Sequence, residues 1–248
     1  MTKSDKTLYI TGAGVSTESG IPTFRGEDGF WTIGSRNYTP QQMATHDMYM
    51  HNPGEFLKWY YNRFATYRHH GPNKVHHWLA DKTLITQNID GLDGKAGNSD
   101  YISIHGRLDE VTLFHHQGDE VERFKAPWDE VDEANLESSL LELFKIGKHG
   151  PILNESLKPY VLLFDEYYTE LYEISRAQQQ MLDAEKMVFM GTSFSVNITN
   201  MALEIARHNN IPVEVVDPNP NHIFHSQVKY FAMTAQEYIS RKNNLTSN

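Results

Sequence analysis

The chain of 248 residues contains no cysteine, which excludes disulfides, thiolate metal sites and a catalytic thiol. It is short of positive charge. The 22 Lys and Arg residues face 32 Asp and Glu, for a formal net charge of −10. Wrapping a nucleic acid requires clustered Lys and Arg to neutralise phosphates, so nucleic acid is not an expected partner, and a basic protein segment suits this surface better. No run is apolar enough to cross a membrane, and a strand-like segment beginning by Leu8 leaves no room for the apolar region of a signal peptide. The cytoplasm is therefore the expected location, with no membrane partner. Internal repeats and low-complexity tracts are absent too, and only residues 242–248 read as a disordered tail.

What is present is an alternation. Apolar, β-rich segments recur at residues 8–10, 83–85, 102–104, 161–164, 187–190, 213–216 and 228–233, mostly separated by polar or helix-like stretches. This rhythm predicts a doubly wound parallel α/β sheet, with residues 170–183 and 200–208 among the crossover helices. Two stretches break it. Residues 27–70 are aromatic and helix-like, with Phe56, Leu57, Trp59, Tyr60, Phe64 and Tyr67 spaced to build a helical lobe, and residues 108–157 include the acidic run Asp129-Glu130-Val131-Asp132-Glu133. The expected organisation is one domain. Its core takes residues 1–26, 71–107 and 158–248, and its smaller inserted lobe takes 27–70 and 108–157.

Three motifs fall on predicted strand ends. After residues 8–10 comes Gly12-Ala13-Gly14-Val15-Ser16-Thr17-Glu18-Ser19-Gly20-Ile21-Pro22-Thr23-Phe24-Arg25-Gly26. A strand, a glycine turn and a helix start aim backbone N–H groups and a helix dipole at one point, which suits a pyrophosphate. Gly12-x-Gly14 alone is weak, because Thr17 stands where a dinucleotide fingerprint has its third glycine. The second motif, Thr86-Gln87-Asn88-Ile89-Asp90-Gly91-Leu92, brings amide and carboxylate groups to the ligand side of a sheet; loop capping before Gly91 is the structural alternative. The third, Tyr101-Ile102-Ser103-Ile104-His105-Gly106, delivers an imidazole beside a glycine that admits close approach. The doublets His69-His70, His76-His77 and His115-His116 are assigned no catalytic or metal role.

Together with Lys158-Pro159-Tyr160-Val161-Leu162-Leu163-Phe164-Asp165-Glu166 and Met190-Gly191-Thr192-Ser193-Phe194-Ser195-Val196, these blocks resemble, in order and over nearly the whole chain, the sirtuins, NAD-dependent protein deacylases. The resemblance implies a Rossmann-like core and NAD as cosubstrate. It assigns Gly12, Ala13, Gly14, Ser16, Phe24 and Arg25 to the first nucleotide loop, with Phe24 against the nicotinamide ribose and Arg25 near the phosphates. Gln87, Asn88 and Asp90 go to the nicotinamide and ribose pocket, with Asn88 also counted as catalytic beside His105, the general base. Gly191, Thr192 and Ser193 go to the phosphates, and Asp217, where most sirtuins have asparagine, to the adenosine ribose. Val161, Phe164 and Asp165 fall in the substrate clamp that holds an acylated-lysine peptide as an extended strand.

Besides Asp217, the chain departs from the family in four places. Asp93 and Gly94 replace a usual His-Gln, Asp165 replaces a glycine, and Tyr60-x-x-Arg63 carries the spacing of the acidic-acyl pocket of desuccinylase-type sirtuins, although Phe64 follows where a second arginine is common. Residues i and i+3 share a helix face, so Tyr60 and Arg63 either bind a succinyl or malonyl carboxylate together or simply pack. Fourth, the four zinc-binding cysteines common in the family are missing, and Leu113 and His116 stand where the first pair falls. A metal-free small lobe is expected, held by Leu136, Leu140, Leu141, Leu143, Phe144 and Ile146. The expected reaction is lysine deacylation releasing nicotinamide and O-acyl-ADP-ribose. NAD glycohydrolysis or mono-ADP-ribosylation is the alternative on the same fold.

Overall fold

The computed structural model describes residues 6–23 and 38–246. Its central sheet contains β1 (Thr7–Thr11), β2 (Thr83–Thr86), β3 (Ile102–Ser103), β7 (Lys186–Met190), β8 (Val213–Asp217) and β9 (Val228–Ala232), in the order β3-β2-β1-β7-β8-β9. All neighbours are parallel, with Ile10 paired to Ile85 on one side and to Phe189 on the other. A smaller antiparallel sheet, β5-β4-β6, is made of β4 (Gly106–Leu113), β5 (Arg123–Lys125) and β6 (Leu157–Val161). The helices are α1 (Pro40–Met43), α2 (His46–His51), α3 (Pro53–Arg63), α4 (Lys74–Leu79), α5 (Leu92–Lys95), α6 (Leu136–Leu143), α7 (Ile174–Asp183), α8 (Asn197–His208) and α9 (Ala235–Thr246).

Six of the seven expected strand segments lie in the parallel sheet. The seventh does not. The strand sits earlier, at Leu157–Val161, and pairs with β4 in the small sheet, because Pro159-Tyr160-Val161 finds partners there while residues 162–166 turn away to form a loop. A second correction concerns the tail. Residues 242–246 continue α9 instead of fraying, fixed by Trp78 Nε1 donating to Asn243 Oδ1 at 3.0 Å and by Lys242 beside Glu214 at 3.6 Å.

Strand alternation sorts the core into two faces. Leu8, Ile10, Ile85, Phe189 and Val215 point to α7 and α8, where Ala177, Met181, Ile198 and Ala202 are fully buried. Tyr9, Leu84, Val188 and Val216 point the other way, to Val75 and Leu79 of α4 and Tyr238 and Ile239 of α9. Burial on both faces explains the near-continuous apolar strands. A separate aromatic cluster joins α1, α2 and α3 to the small sheet and α6, with Tyr49, Phe56, Tyr60, Trp128, Leu140 and Phe144 buried together. Of the apolar residues expected to hold this lobe, Leu140 and Phe144 form its centre, and Leu136, Leu143 and Ile146 pack at its margin.

The chain leaves β1 on one side to build β2 and β3, then returns to the other side as β7. The carboxyl ends of β1 and β7 therefore frame the crevice in which doubly wound sheets bind ligands. The turns that leave these two strands touch. Gly12 N–H donates to Met190 O and Gly14 N–H to Gly191 O, both at 3.0 Å. A Cβ on Gly12 would lie 2.7 Å from Gly191 O, and one on Gly14 would lie 2.6 Å from Gly191 Cα, while Gly191 itself has φ of 59°.

At the base of this crevice, α5 buries Asp93, which is 2 % exposed, with Oδ1 lacking a partner among the described residues. Burial, reinforced by the nearby Asp90 charge, pushes its carboxyl up to about 7 against a hydrogen bond from Thr86. In the unfolded chain the same carboxyl ionises near pH 4. Between about pH 4 and pH 7 the folded state thus holds a proton that the unfolded state has released, and this contribution to stability falls as pH rises. Asp93→Asn is expected to flatten that slope and to raise stability at pH 8 by about 2–4 kcal/mol, read by urea denaturation across pH. An unchanged slope would show that Asp93 ionises normally. Gly14→Ala is expected to cost more than about 2 kcal/mol in the same assay, because the opposing atoms are backbone and have no rotamer to retreat into.

Candidate functional site

The first nucleotide loop is built on the glycine contact. The expected helix start is a 3₁₀ helix, Ala13–Ser19, closed by Gly20 in the left-handed conformation. Because the Gly12 and Gly14 N–H groups are already engaged by β7 and its turn, they are not the free phosphate donors that the strand-turn-helix pattern suggested. The glycines instead permit backbone to lie against backbone, and Ala13 between them begins the 3₁₀ helix. Phe24 and Arg25 lie outside the described residues.

Ser16 is 1 % exposed and stands at the centre of a polar network. Its hydroxyl donates to Asp90 Oδ2 at 2.7 Å and accepts from Asn88 Nδ2 at 3.2 Å. Asn88 Nδ2 also reaches Gly12 O at 3.1 Å. With its amide nitrogen so fixed, Asn88 Oδ1 is buried without a partner among the described residues. An unpaired buried oxygen is costly, so it suits a ligand that brings a donor. Asp90 Oδ1 accepts from Leu92 N–H at 2.9 Å, so the loop-capping alternative holds alongside the network for this residue.

Gln87 links the two halves of the crevice. Its side-chain Nε2 donates to Thr11 O at 3.0 Å and to Thr192 Oγ1 at 3.2 Å, across the ends of β1 and β7. Its carbonyl lies 3.0 Å from His105 Nδ1. A carbonyl can only accept, so Nδ1 carries the ring proton and Nε2 the lone pair. Burial pulls the His105 imidazole down to about 4, opposed in part by the Gln87 carbonyl. The ring is therefore neutral at pH 7, the form a general base needs. Gly106, at φ of 80°, explains the position: a Cβ there would lie 2.1 Å from Tyr160 O, so only glycine lets β4 start this close to β6.

After β7, Thr192 is buried and Ser193 is exposed, its carbonyl accepting from Asn221 Nδ2 at 3.0 Å. Asp217 ends β8, with Oδ1 accepting from Asn219 N–H at 2.9 Å. These residues follow adjacent strands on the same edge of the sheet as Gly12 and Gln87.

The clamp segment has a different construction from the one its sequence suggested. Val161 is buried in β6, opposite Gly106, and its carbonyl accepts from Lys158 Nζ at 3.2 Å. Leu162 N–H donates to His105 O at 3.0 Å, tying the clamp to the imidazole's own backbone. Phe164 is 53 % exposed, while its N–H donates to Ala44 O. Asp165 does not simply protrude: its two oxygens accept from the N–H groups of His46 (2.6 Å) and Asp47 (3.1 Å) at the start of α2. Glu166 pairs with Lys158 at 3.0 Å, both side chains being nearly buried. Despite a desolvation that opposes it, this lysine, His46 and the Leu163 N–H hold the Glu166 carboxyl down at about 2.

Tyr60 and Arg63 both lie on α3 but differ in setting. Tyr60 is buried against Phe56, Trp59 and Phe64, and burial pushes its phenol well above the ordinary value. Arg63 is half-buried at the last turn, its guanidinium lowered chiefly by burial.

Two residues escape a reading of the sequence. His76 is fully buried behind Ser16, with Nε2 3.5 Å from its hydroxyl and Nδ1 accepting from Asn73 N–H at 3.2 Å. The spacing Asn73-x-x-His76 is a capping-box signature that carries this information. Tyr168 Oη lies 3.0 Å from His105 Nε2. No local pattern announces it.

Residues 12–198 match the Sir2 family model. The chain is 29% identical to NAD-dependent protein deacylase 1 of Caldanaerobacter subterraneus subsp. tengcongensis over 96% of its length and 93% of that protein's. It is 31% identical to the NAD-dependent protein deacylase of Aquifex aeolicus over 86% of its length and 82% of the relative's. Among solved structures, a Sir2 homolog–NAD complex superposes with a TM-score of 0.71 at 26% identity, covering 96% of this chain and 88% of the other. A Sir2 homologue bound to ADP-ribose gives 0.74 at 25%, covering 99% and 95%. With a family model matched over more than half of its length and a relative 31% identical over 86% of the chain, the chain belongs to the Sir2 family.

Proposed function

We propose that this chain is an NAD-dependent protein-lysine deacylase that releases nicotinamide and transfers the acyl group to ADP-ribose. The observation that carries the reading is the double attachment of Gln87: its side chain binds the β1 and β7 ends that frame the nucleotide crevice, and its carbonyl orients the neutral base His105 into the same space. The crevice fits NAD on its own terms. The stacked turns of Gly12, Gly14 and Gly191 leave no side chain between the strand ends, and the orphan oxygen of Asn88 meets a donor from the carboxamide or a ribose hydroxyl. Ala13, Ser193 and Asp217 serve the phosphate and adenosine side, and Phe24 and Arg25 are assigned to nucleotide binding with them.

When bound, NAD supplies a ribose carbon that leaves nicotinamide for an acyl oxygen. The chain's own residues do the rest. Ser16, Asn88 and Asp90 hold one another and the nicotinamide end rigid, which lowers the reorganisation needed as charge develops. His105, neutral with its lone pair on Nε2, takes a ribose proton. The acylated-lysine peptide lies along the clamp between Val161 and Phe164, with the cap formed by Asp165 fixing α2 beside it. Arg63 takes the carboxylate of a succinyl or malonyl group, while Tyr60 shapes the pocket from the core.

His105→Ala is expected to bind NAD with near wild-type affinity and to lose about 100-fold or more in acyl-lysine turnover, measured by mass spectrometry of acetyl-, succinyl- and unmodified peptides. Retained turnover would remove His105 from this role, and nicotinamide release without any acylated peptide would assign the fold to NAD hydrolysis or ADP-ribosylation. Arg63→Met is expected to lower the succinyl-to-acetyl preference by about tenfold, the value of one charge-assisted pair. An unchanged ratio would leave Arg63 a packing residue.

A further inference from the structure

The lone pair of His105 Nε2, on which the reaction relies, is already engaged by another side chain of the protein. Tyr168 Oη lies 3.0 Å from Nε2, and the two rings stack with planes 20° apart and centroids 6.0 Å apart. Since Nδ1 holds the ring proton for Gln87 O, the Tyr168 hydroxyl is the donor in this contact. Burial raises the phenol to about 12, which keeps it protonated. The ring is half-buried against the apolar face beneath α7 and α8, so it is anchored by packing as well as by its hydroxyl. The outcome is a directed chain: Tyr168 O–H to His105 Nε2, His105 Nδ1–H to Gln87 O.

We propose that Tyr168 is the proton relay between the ribose hydroxyl and His105. The inference rests on the deacylase reading. The ribose O–H bond breaks as its proton passes to Tyr168 Oη, and the phenol's own O–H bond breaks as that proton passes to His105 Nε2. The phenol ends neutral, the imidazole ends as imidazolium, and the ribose oxygen keeps the electron pair with which it attacks the acyl carbon. Proton release from the imidazolium follows the same route in reverse when the lysine amine leaves. The hydrogen-bond chain through Tyr168 is what lets the base act on a group it need not touch.

Tyr168→Phe in the full-length protein removes one hydroxyl and leaves the ring packing. Exchange of labelled nicotinamide into NAD in the presence of acyl peptide breaks and remakes only the bond to the ribose carbon and moves no hydroxyl proton. The variant is therefore expected to keep exchange within about twofold of the wild type and to lose about tenfold or more in product formation. Installing 3-fluorotyrosine at position 168, which restores the hydroxyl, is expected to recover turnover. Equal or faster product formation by Tyr168→Phe would overturn the proposal, since the phenol would then merely cover the base. Equal losses of exchange and product formation would also overturn it and leave Tyr168 a structural residue. If the wild-type protein itself makes no O-acyl-ADP-ribose, the deacylase reading falls and the relay with it, a result separable from the other two because it needs no variant.

Discussion

The site depends on one steric fact, the backbone-to-backbone contact between the turns after β1 and β7. Gly12 and Gly14 on one side and Gly191 on the other approach so closely that no Cβ fits at any of the three positions. This contact fixes the separation of the two strand ends that diverge at the switch point of the sheet. It also sets the distance that Gln87 spans to reach both Thr11 and Thr192. Because Gln87 in turn orients His105, a constraint between three glycines determines where the base points.

Around that frame the polar groups are buried and shared. Ser16, Asn88, Asp90 and His76 form one network in which each amide or hydroxyl has an assigned role, and in such networks the geometry of one member is inherited by the others. Two shifted groups mark its edges. His105 is held neutral by burial, and the Asp93 carboxyl is pushed up to about 7 by burial and by Asp90. Desolvation disfavours the charged form of each, and so acts in opposite directions on a base and an acid.

The small sheet and the helices packed on it show how a lobe stands without thiolates. Tyr49, Phe56, Trp128, Leu140 and Phe144 make a continuous apolar centre, joined to the clamp through Asp165, whose carboxylate meets the start of α2. Asp165 is a departure from the family glycine that the fold has turned into a helix cap. The buried Lys158–Glu166 pair and the bond from Leu162 N–H to His105 O then carry the position of this lobe directly to the base.

The strands of the parallel sheet were legible because burial on both faces forces continuous apolar runs, and Gly12, Gln87, Asn88, Asp90 and His105 were legible because each follows such a run at its carboxyl end. Local pattern was therefore enough for the parallel sheet and for the edge at which its crevice opens. Tertiary structure alone decided the rest. Val161 joined a second sheet because its partner there, Gly106 at the start of β4, lies 55 positions away in the chain, and the residues from Lys242 became helix because Trp78 and Glu214 hold Asn243 and Lys242. Tyr168 met His105 across 63 positions with no periodicity to announce it. Local patterns encode which face of an element is apolar, but a hydrogen bond between distant side chains exists only once packing has brought their backbones together.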